Sequence, residues 1–458
     1  MKTPAKGEKL RVWAKFQPAY GAIFCYNKKQ THDRDGTVEQ MRILHTADWH
    51  FGRQLEGRDR RIEQAAFVEE ICRIAEERQV DLVLIAGDVY DSVNPPAWAE
   101  ELFYEAIERL SGGGRRGVVV IAGNHDQPER VRAATPLAAK HGIVLLGLPK
   151  EAPLLPEKSA LASDRVQIVQ GGPSWLELAV PGCAHHAVIL ALPYPSESRL
   201  KELLSESFTQ EEMQLAFSDR IGKLLDELSA HFREDTVNLV MSHLFVMGGA
   251  ETDSERPIQI GGAMTVSTQA FPENADYVAL GHLHRLQKLQ EKPLVRYSGS
   301  PLSYSFSEAG QSKAVVLVDV EPGQEVREEV LYLTSGRPLA RWKATEGIAQ
   351  VERWLAEGRD AGAWIDLEIH VSDVIDPAEF QRLRKLSDDF LKIQRVVVRE
   401  DRDEAEEVEA QAKLEELTPD QLFRRFYERK RGVQPDDRLV AMFQRLLLET
   451  EAGREEEA

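Results

Sequence analysis

The chain has 458 residues, too many for one ordinary core, so two or three domains are expected. Its composition is that of a soluble globular protein, 42% hydrophobic and 29% charged, with no apolar run of about 18 residues to span a membrane and no apolar segment to direct export. A net charge of -19 excludes a polyanion binder held by bulk charge, and three scattered cysteines (Cys25, Cys72, Cys183) give neither a disulfide framework nor a thiolate metal site, which fits a reducing cytoplasm.

Residues 1–40 carry 8 Lys/Arg against 4 Asp/Glu without sustained periodicity, and are read as an extension outside the fold. From Met41 strand and helix alternate. A strand over 41–46 ends in Asp48-Trp49-His50, and an apolar stripe from Ile62 to Ala75 predicts a helix over about 61–79. The run 82–85 is a buried strand ending in Gly87-Asp88. Pro95-Pro96 open a helix that Gly112-Gly113-Gly114 close. Val118–Ile121 is a strand breaking into Gly123-Asn124-His125-Asp126. Runs at 143–146 and 187–192 continue the sheet. Strands at 239–241 and 277–280 lead directly into Ser242-His243 and Gly281-His282-Leu283-His284.

Beyond this point 294–297 and 314–320 read as antiparallel strands around a Gly299-Ser300-Pro301 turn. A small β-α-β-α-β unit follows, with strands at 339–344, 364–371 and 393–398 and helices at 348–355 and 377–386; its size marks a separate domain over 336–400. Residues 401–417 are an acidic linker. The tail, 418–458, offers two amphipathic helices. Leu422, Phe423, Phe426 and Tyr427 line the first, and Leu439, Val440, Met442, Phe443, Leu446 and Leu447 the second. They either pack on the main domain or dock a partner. Arginine clusters at 53–61, 115–116 and 130–132 are either solvated surface or local phosphate contacts.

The strand ends collect into one set: Asp48, His50, Asp88, Asn124, His125, Asp126, His243, His282 and His284. Loops following strands gather at one edge of a sheet. Five of the 12 histidines fall in these positions. Mixed carboxylate, amide and imidazole donors without thiolate suit manganese, iron or zinc. Seven ligands are too many for one ion and right for two that share a carboxylate. Within the Gly-Asn-His-Asp turn, an amide oxygen, an imidazole and a carboxylate suit a metal ligand, a proton-handling group and a side chain to orient it.

The order Asp-x-His, Gly-Asp, Gly-Asn-His-Asp, His, Gly-His-x-His resembles the calcineurin-like metallophosphoesterase superfamily. The stretches Ile43–Gly52, Ala86–Asp91, Ala279–His284 and Arg296–Leu302 resemble, more narrowly, the SbcD nuclease family, from Met41 into the C-terminal helices. The resemblance implies an α/β (α+β) fold: a metallophosphoesterase domain over 41–335 with a central β-sandwich flanked by helices, then a capping domain and C-terminal helices. It implies that Asp88 bridges two divalent ions, with Mn2+ expected and Mg2+, Fe2+ or Zn2+ as substitutes. Asp48, His50 and His284 would complete one shell, and Asn124, His243 and His282 the other. His125 would protonate the leaving oxygen, with Asp126 orienting it. Asp91 stands where eukaryotic and archaeal relatives have a second histidine, so no second imidazole donor is implied. The expected activity is 3′-to-5′ cleavage of duplex DNA ends and opening of hairpins, with an SbcC-type ATPase docked on the tail, as a homodimer within a heterotetramer at the cytoplasmic nucleoid. A phosphoesterase for small esters or phosphoproteins is the alternative, and would need neither cap nor docking tail.

Overall fold

Strands in which nearly every residue is apolar must be covered on both faces, and that requirement sets the architecture. A computed structural model describes residues 39–155, 164–196, 198–200, 217–255, 264–371, 377–397 and parts of 421–443. The expected N-terminal extension, except residues 39 and 40, and the acidic linker lie outside these. The chain runs through β1 (Met41–Thr46), α1 (Arg61–Glu77), β2 (Leu82–Ala86), α2 (Ala97–Ser111), β3 (Gly117–Ile121) and β4 (Ile143–Leu146). Then come β5 (Gln167–Gly172), β6 (Trp175–Ala179), β7 (Ala187–Leu192), α3 (Phe217–Leu228), β8 (Val237–His243) and β9 (Tyr277–Gly281). Four strands follow: β10 (Gln287–Gln290), β11 (Leu294–Tyr297), β12 (Ala314–Val320) and β13 (Arg327–Tyr332). The last group is β14 (Leu339–Ala344), α4 (Ile348–Ala356), β15 (Trp364–Val371), α5 (Pro377–Leu386) and β16 (Phe390–Val397).

One sheet has the order β13-β12-β1-β2-β3-β4 and the other β10-β11-β9-β8-β7-β6-β5. Strands β1 to β4 are parallel, as are β7, β8, β9 and β11. The two-residue period of a strand sorts the side chains into layers. Ile43, Leu84 and Ile121 of the first sheet meet Ile189, Met241 and Ala279 of the second in the central core. The intervening Leu44, Val83 and Val120 pack with Phe67 of α1 and Phe103 of α2. On the far side Val188, Val240 and Val278 pack with Ile221 and Leu225 of α3. The result is a β-sandwich between helical layers, with Gly112 in the left-handed region (φ 56) closing α2 as expected.

One expectation fails. Strands β11 and β12 do not pair with each other: β11 lies parallel to β9, and β12 lies antiparallel to β1 in the other sheet. Both are apolar but for one residue, Arg296 in β11 and Asp319 in β12, so each is buried more fully inside a central sheet than in an isolated hairpin. The Gly299-Ser300-Pro301 segment therefore carries the chain from one sheet to the other.

The small unit forms as expected, a three-stranded parallel sheet in the order β14-β15-β16 around Trp342, Val351, Leu367 and Leu383. Leu339 and Trp364 pack on Leu55 and Phe306 of the large sandwich. The Arg337 guanidinium lies 3.5 Å from the Trp364 ring centroid, and Arg58 donates to the Asp388 carbonyl at 3.0 Å. In the tail Phe423 stacks on Phe443 at 4.3 Å, so the described parts of the two helices meet; Phe426, Leu446 and Leu447 lie outside the described residues.

Candidate metal centre

Each expected ligand sits at the C-terminal end of a parallel strand. Asp48 and His50 follow β1, Asp88 follows β2, Asn124 follows β3, His243 ends β8, and His282 and His284 follow β9. Of the eight non-glycine residues with positive φ among those described, four are in this set: Asp48 (56°), His50 (44°), Asp88 (50°) and His282 (105°). Backbone strain of about 1–3 kcal/mol at each persists only where surrounding contacts impose it, and it concentrates at functional sites. The motif glycines serve close approach. A Cβ on Gly123 would stand 2.1 Å from Asp88 Oδ1, and one on Gly281 1.8 Å from the Ala86 carbonyl. Those two glycines let the ends of β3 and β9 close on β2.

The side chains converge at one edge of the sandwich. His50 Nε2 lies 3.1 Å from His284 Nε2 and 3.5 Å from Asp88 Oδ2. His243 Nε2 lies 3.5 Å from the same Asp88 oxygen and 2.8 Å from Asn124 Oδ1, which also faces His282 Nδ1 at 3.3 Å. Asp48 Oδ1 accepts from the His282 amide at 2.9 Å. Three groups of donors lie close enough to share an ion: Asp48, His50 and His284; Asp48, Asp88 and His243; and His50, Asp88 and His125.

These residues fit divalent ions. The two aspartates and four ligand histidines are at most 2% exposed, and among the described residues Asp48 Oδ2 and His50 Nδ1 have no hydrogen-bond partner. Buried polar atoms are rarely left this way without a ligand. Burial pushes the His50, His282 and His284 rings well below the ordinary imidazole value, so they present lone pairs. Burial acts the same way on His243, but Asp88 and Asp48 outweigh it and hold that ring at about 9. Burial raises Asp48, whereas at Asp88 it is overcome by His243 and His50, which hold that carboxyl low. The carboxylates call for positive charge. The outer contacts set tautomers: His243 Nδ1 donates to the Ala86 carbonyl at 2.9 Å, leaving Nε2 for a ligand role.

His125 is half-buried beside the cluster, with its ring centroid 4.8 Å from that of His50. Its orientation comes from an unexpected source. Asp126 makes no hydrogen bond to the ring; its carboxylate accepts the amides of Val89, Tyr90 and Gly123 at 2.9–3.1 Å. Three amide donors in fixed positions make Asp126 a brace for the turn. His125 Nδ1 instead donates to the main-chain carbonyl of Asp91 at 2.8 Å.

Several neighbours are not legible in sequence. Arg53 donates to the Ser254 carbonyl at 2.9 Å, lies 3.4 Å from Asp91 Oδ1 and covers the Tyr304 ring. Ser254, Glu255, Glu308 and Lys313 surround His284. Only the Ser305-x-x-Glu308 spacing of a capping box leaves a local signal, and that box does form. The arginine clusters are mainly structural. Arg60 pairs with Glu63, Arg116 donates to three carbonyls, and Arg130 and Arg132 pair with Glu100 and Glu151.

A sandwich whose two sheets bring carboxylates, an amide and imidazoles to one edge defines a class, the metal-dependent phosphoesterases of calcineurin-like fold. The family model described as calcineurin-like phosphoesterase matches residues 41–286, and one described as type 5 capsule protein repressor C-terminal domain matches 335–431. The SbcD subunit of the nuclease SbcCD from Bacillus subtilis (strain 168) is 44% identical over 91% of this chain and 99% of its own. Its counterpart of the same name from Escherichia coli (strain K12) is 29% identical over 84% of this chain and 92% of its own. That from Rhodobacter capsulatus is 34% identical over 69% and 75%. The chain belongs to the calcineurin-like phosphoesterase family, in the branch of the SbcD nuclease subunits.

Proposed function

We propose that the chain is the nuclease subunit of an SbcCD-type complex and hydrolyses DNA phosphodiesters at duplex ends, 3′ to 5′, and at hairpins. The observation that carries this reading is the convergence of Asp48, His50, Asp88, Asn124, His243, His282 and His284 from two sheets in a chain so similar to SbcD nuclease subunits. When bound, two divalent ions, which we assign as Mn2+, would clamp a phosphate and bring a water molecule toward hydroxide near neutral pH.

Asp88 would be the shared ligand, because one of its oxygens faces His50 and His243 equally at 3.5 Å. Asp48, His50 and His284 would hold one ion, and Asn124, His243 and His282 the other. His125 stays outside the shells. Its Nδ1–H is committed to the Asp91 carbonyl, so Nε2 is the nitrogen that carries and delivers a proton to the leaving oxygen. The small domain at 336–400 leans on the loop carrying Leu55 and shapes the DNA path. The tail helices dock an SbcC-type ATPase, and the assembly is a dimer of this subunit within a heterotetramer in the cytoplasm. An ATPase partner that grips DNA removes the difficulty of an acidic nuclease.

The test is direct. The protein, with and without an SbcC-type partner and ATP, is offered hairpin-ended duplex DNA and a chromogenic phosphodiester in the presence of Mn2+. Cleavage of the hairpin DNA supports the reading. Turnover of the small ester with no DNA cut under any condition would leave a small-molecule phosphoesterase instead.

A further inference from the structure

His284 is held more elaborately than any other imidazole in the centre. Its Nδ1 lies 2.6 Å from Ser254 Oγ, and that oxygen lies 2.8 Å from Glu308 Oε1. Serine and glutamate are 4% and 1% exposed. Proton counting fixes the direction. Glu308 accepts the Tyr304 amide at 2.8 Å and the Ser305 amide at 3.0 Å, and its second oxygen accepts the Lys313 ammonium. It is therefore an ionised acceptor. Thr252 Oγ1 also lies 2.8 Å from Ser254 Oγ, but its proton goes to Glu255 Oε2 at 2.6 Å. The Ser254 proton goes to the charged carboxylate, and Ser254 accepts from His284 Nδ1–H. The lone pair of His284 is then on Nε2, the atom that faces His50.

The main chain of the same residue is clamped as well. The His284 amide donates to Glu255 Oε1 at 2.8 Å, and its carbonyl accepts Lys313 Nζ at 2.9 Å. His243 Nδ1 makes its hydrogen bond to the neutral Ala86 carbonyl, and the nearest carboxylate oxygen, Asp48 Oδ1, stands 4.0 Å away, beyond hydrogen-bond distance. The two expected ions are thus backed unequally.

We propose that Ser254 and Glu308 are positioning residues. Together they form a hydroxyl–carboxylate relay that fixes the tautomer of His284 and raises its strength as a ligand. The ion at Asp48, His50 and His284 would accordingly be the tighter of the two. This rests on the metal reading of the site. A carboxylate behind a ligating imidazole increases its basicity and restricts its rotation, and loss of such outer partners typically weakens metal binding about 10–100-fold.

The experiment is calorimetric titration of chelator-treated full-length protein with Mn2+, repeated with Co2+ followed by absorption. In Ser254→Ala one class of site should weaken about 10–100-fold while the other keeps its affinity. Ser254→Thr, which keeps the hydroxyl, should restore it. Glu308→Gln should lie between, because it keeps the serine acceptor but removes the charge. Two classes at wild-type affinity in Ser254→Ala overturn the relay. A loss shared equally by both classes, or no rescue by threonine, also overturns it. Failure of the wild type to bind either ion would overturn the metal reading itself, and is distinguishable because it needs no variant.

Discussion

His125 and Asp91 are joined by a 2.8 Å hydrogen bond from the imidazole Nδ1 to a main-chain carbonyl. That bond leaves the second ring nitrogen as the only one able to exchange a proton with a bound substrate. Replacing His125 with alanine should lower DNA hydrolysis by about 10²–10⁴-fold, the range for a lost general acid. Metal content by mass spectrometry should stay near that of the wild type. Loss of metal in this variant would move His125 into the ligand set.

Asp126 has a different task from the one its neighbourhood in sequence suggests. With three backbone amides on its carboxylate, Asp126→Ala should destabilise the chain by about 3 kcal/mol, because buried donors are left unpaired. Urea unfolding of the chelated protein measures this. A wild-type midpoint together with lost activity would instead support a direct role on His125.

Divalent ions should stabilise the fold, since burial and the neighbouring Asp88 charge push the Asp48 carboxyl up, and a cation would favour its ionised form. At Mn2+ concentrations about 100 times its dissociation constant the gain should be about 2.7 kcal/mol. Thermal unfolding with and without chelator reads it, and coincident curves would count against a metal site.

Gly281→Ala introduces a methyl group 1.8 Å from the Ala86 carbonyl and 2.9 Å from His243 Nδ1. The ends of β2 and β9 must separate. The expected cost is about 3 kcal/mol, the upper end for overpacking, with loss of bound metal. An unaltered melting curve with full metal content would show that the two strand ends are not in contact.

Glu177 supplies a pH dependence away from the centre. Arg233 lowers its carboxyl, burial opposes this, and His186 and Gln170 help hold it at about 2. A depressed carboxyl stabilises the folded state fully above its ordinary value of 4.5 and loses that contribution as pH falls from there toward about 2. On the order of 2 kcal/mol is involved, allowing for the exposure of Arg233. Glu177→Gln should flatten unfolding free energy against pH over that interval in chelated protein; an unchanged slope would refute the assignment.

How much is readable in advance follows from where the information resides. Asp48, His50, Asp88, Asn124, His243, His282 and His284 each follow an apolar run, so local pattern and strand-end geometry suffice to gather them. The partner of β12 is not readable, because a strand apolar on both faces fits any buried position. Helix α3 does carry a signal in Phe217, Ile221, Leu224 and Leu225, spaced to one face, which a reading that moves from strand to strand passes over. Strand β5 carries little, since most of its residues are partly exposed or polar. Ser254 and Glu308 lie 54 residues apart and meet only in the folded chain, so nothing local marks their pairing, although the capping-box spacing marks Glu308 itself.

The amide of His282 reaches Asp48 across 234 residues of chain, and His284 faces His50 across the same interval. No fragment that stops before β9 can therefore contain a complete centre, whatever structure it acquires. During synthesis the parallel strands β1 to β4 can pair while hydrolytic competence is still absent. Competence requires β8 and β9 of the second sheet to close on those strands. A nascent chain of this kind is harmless to nucleic acid until its sandwich is whole.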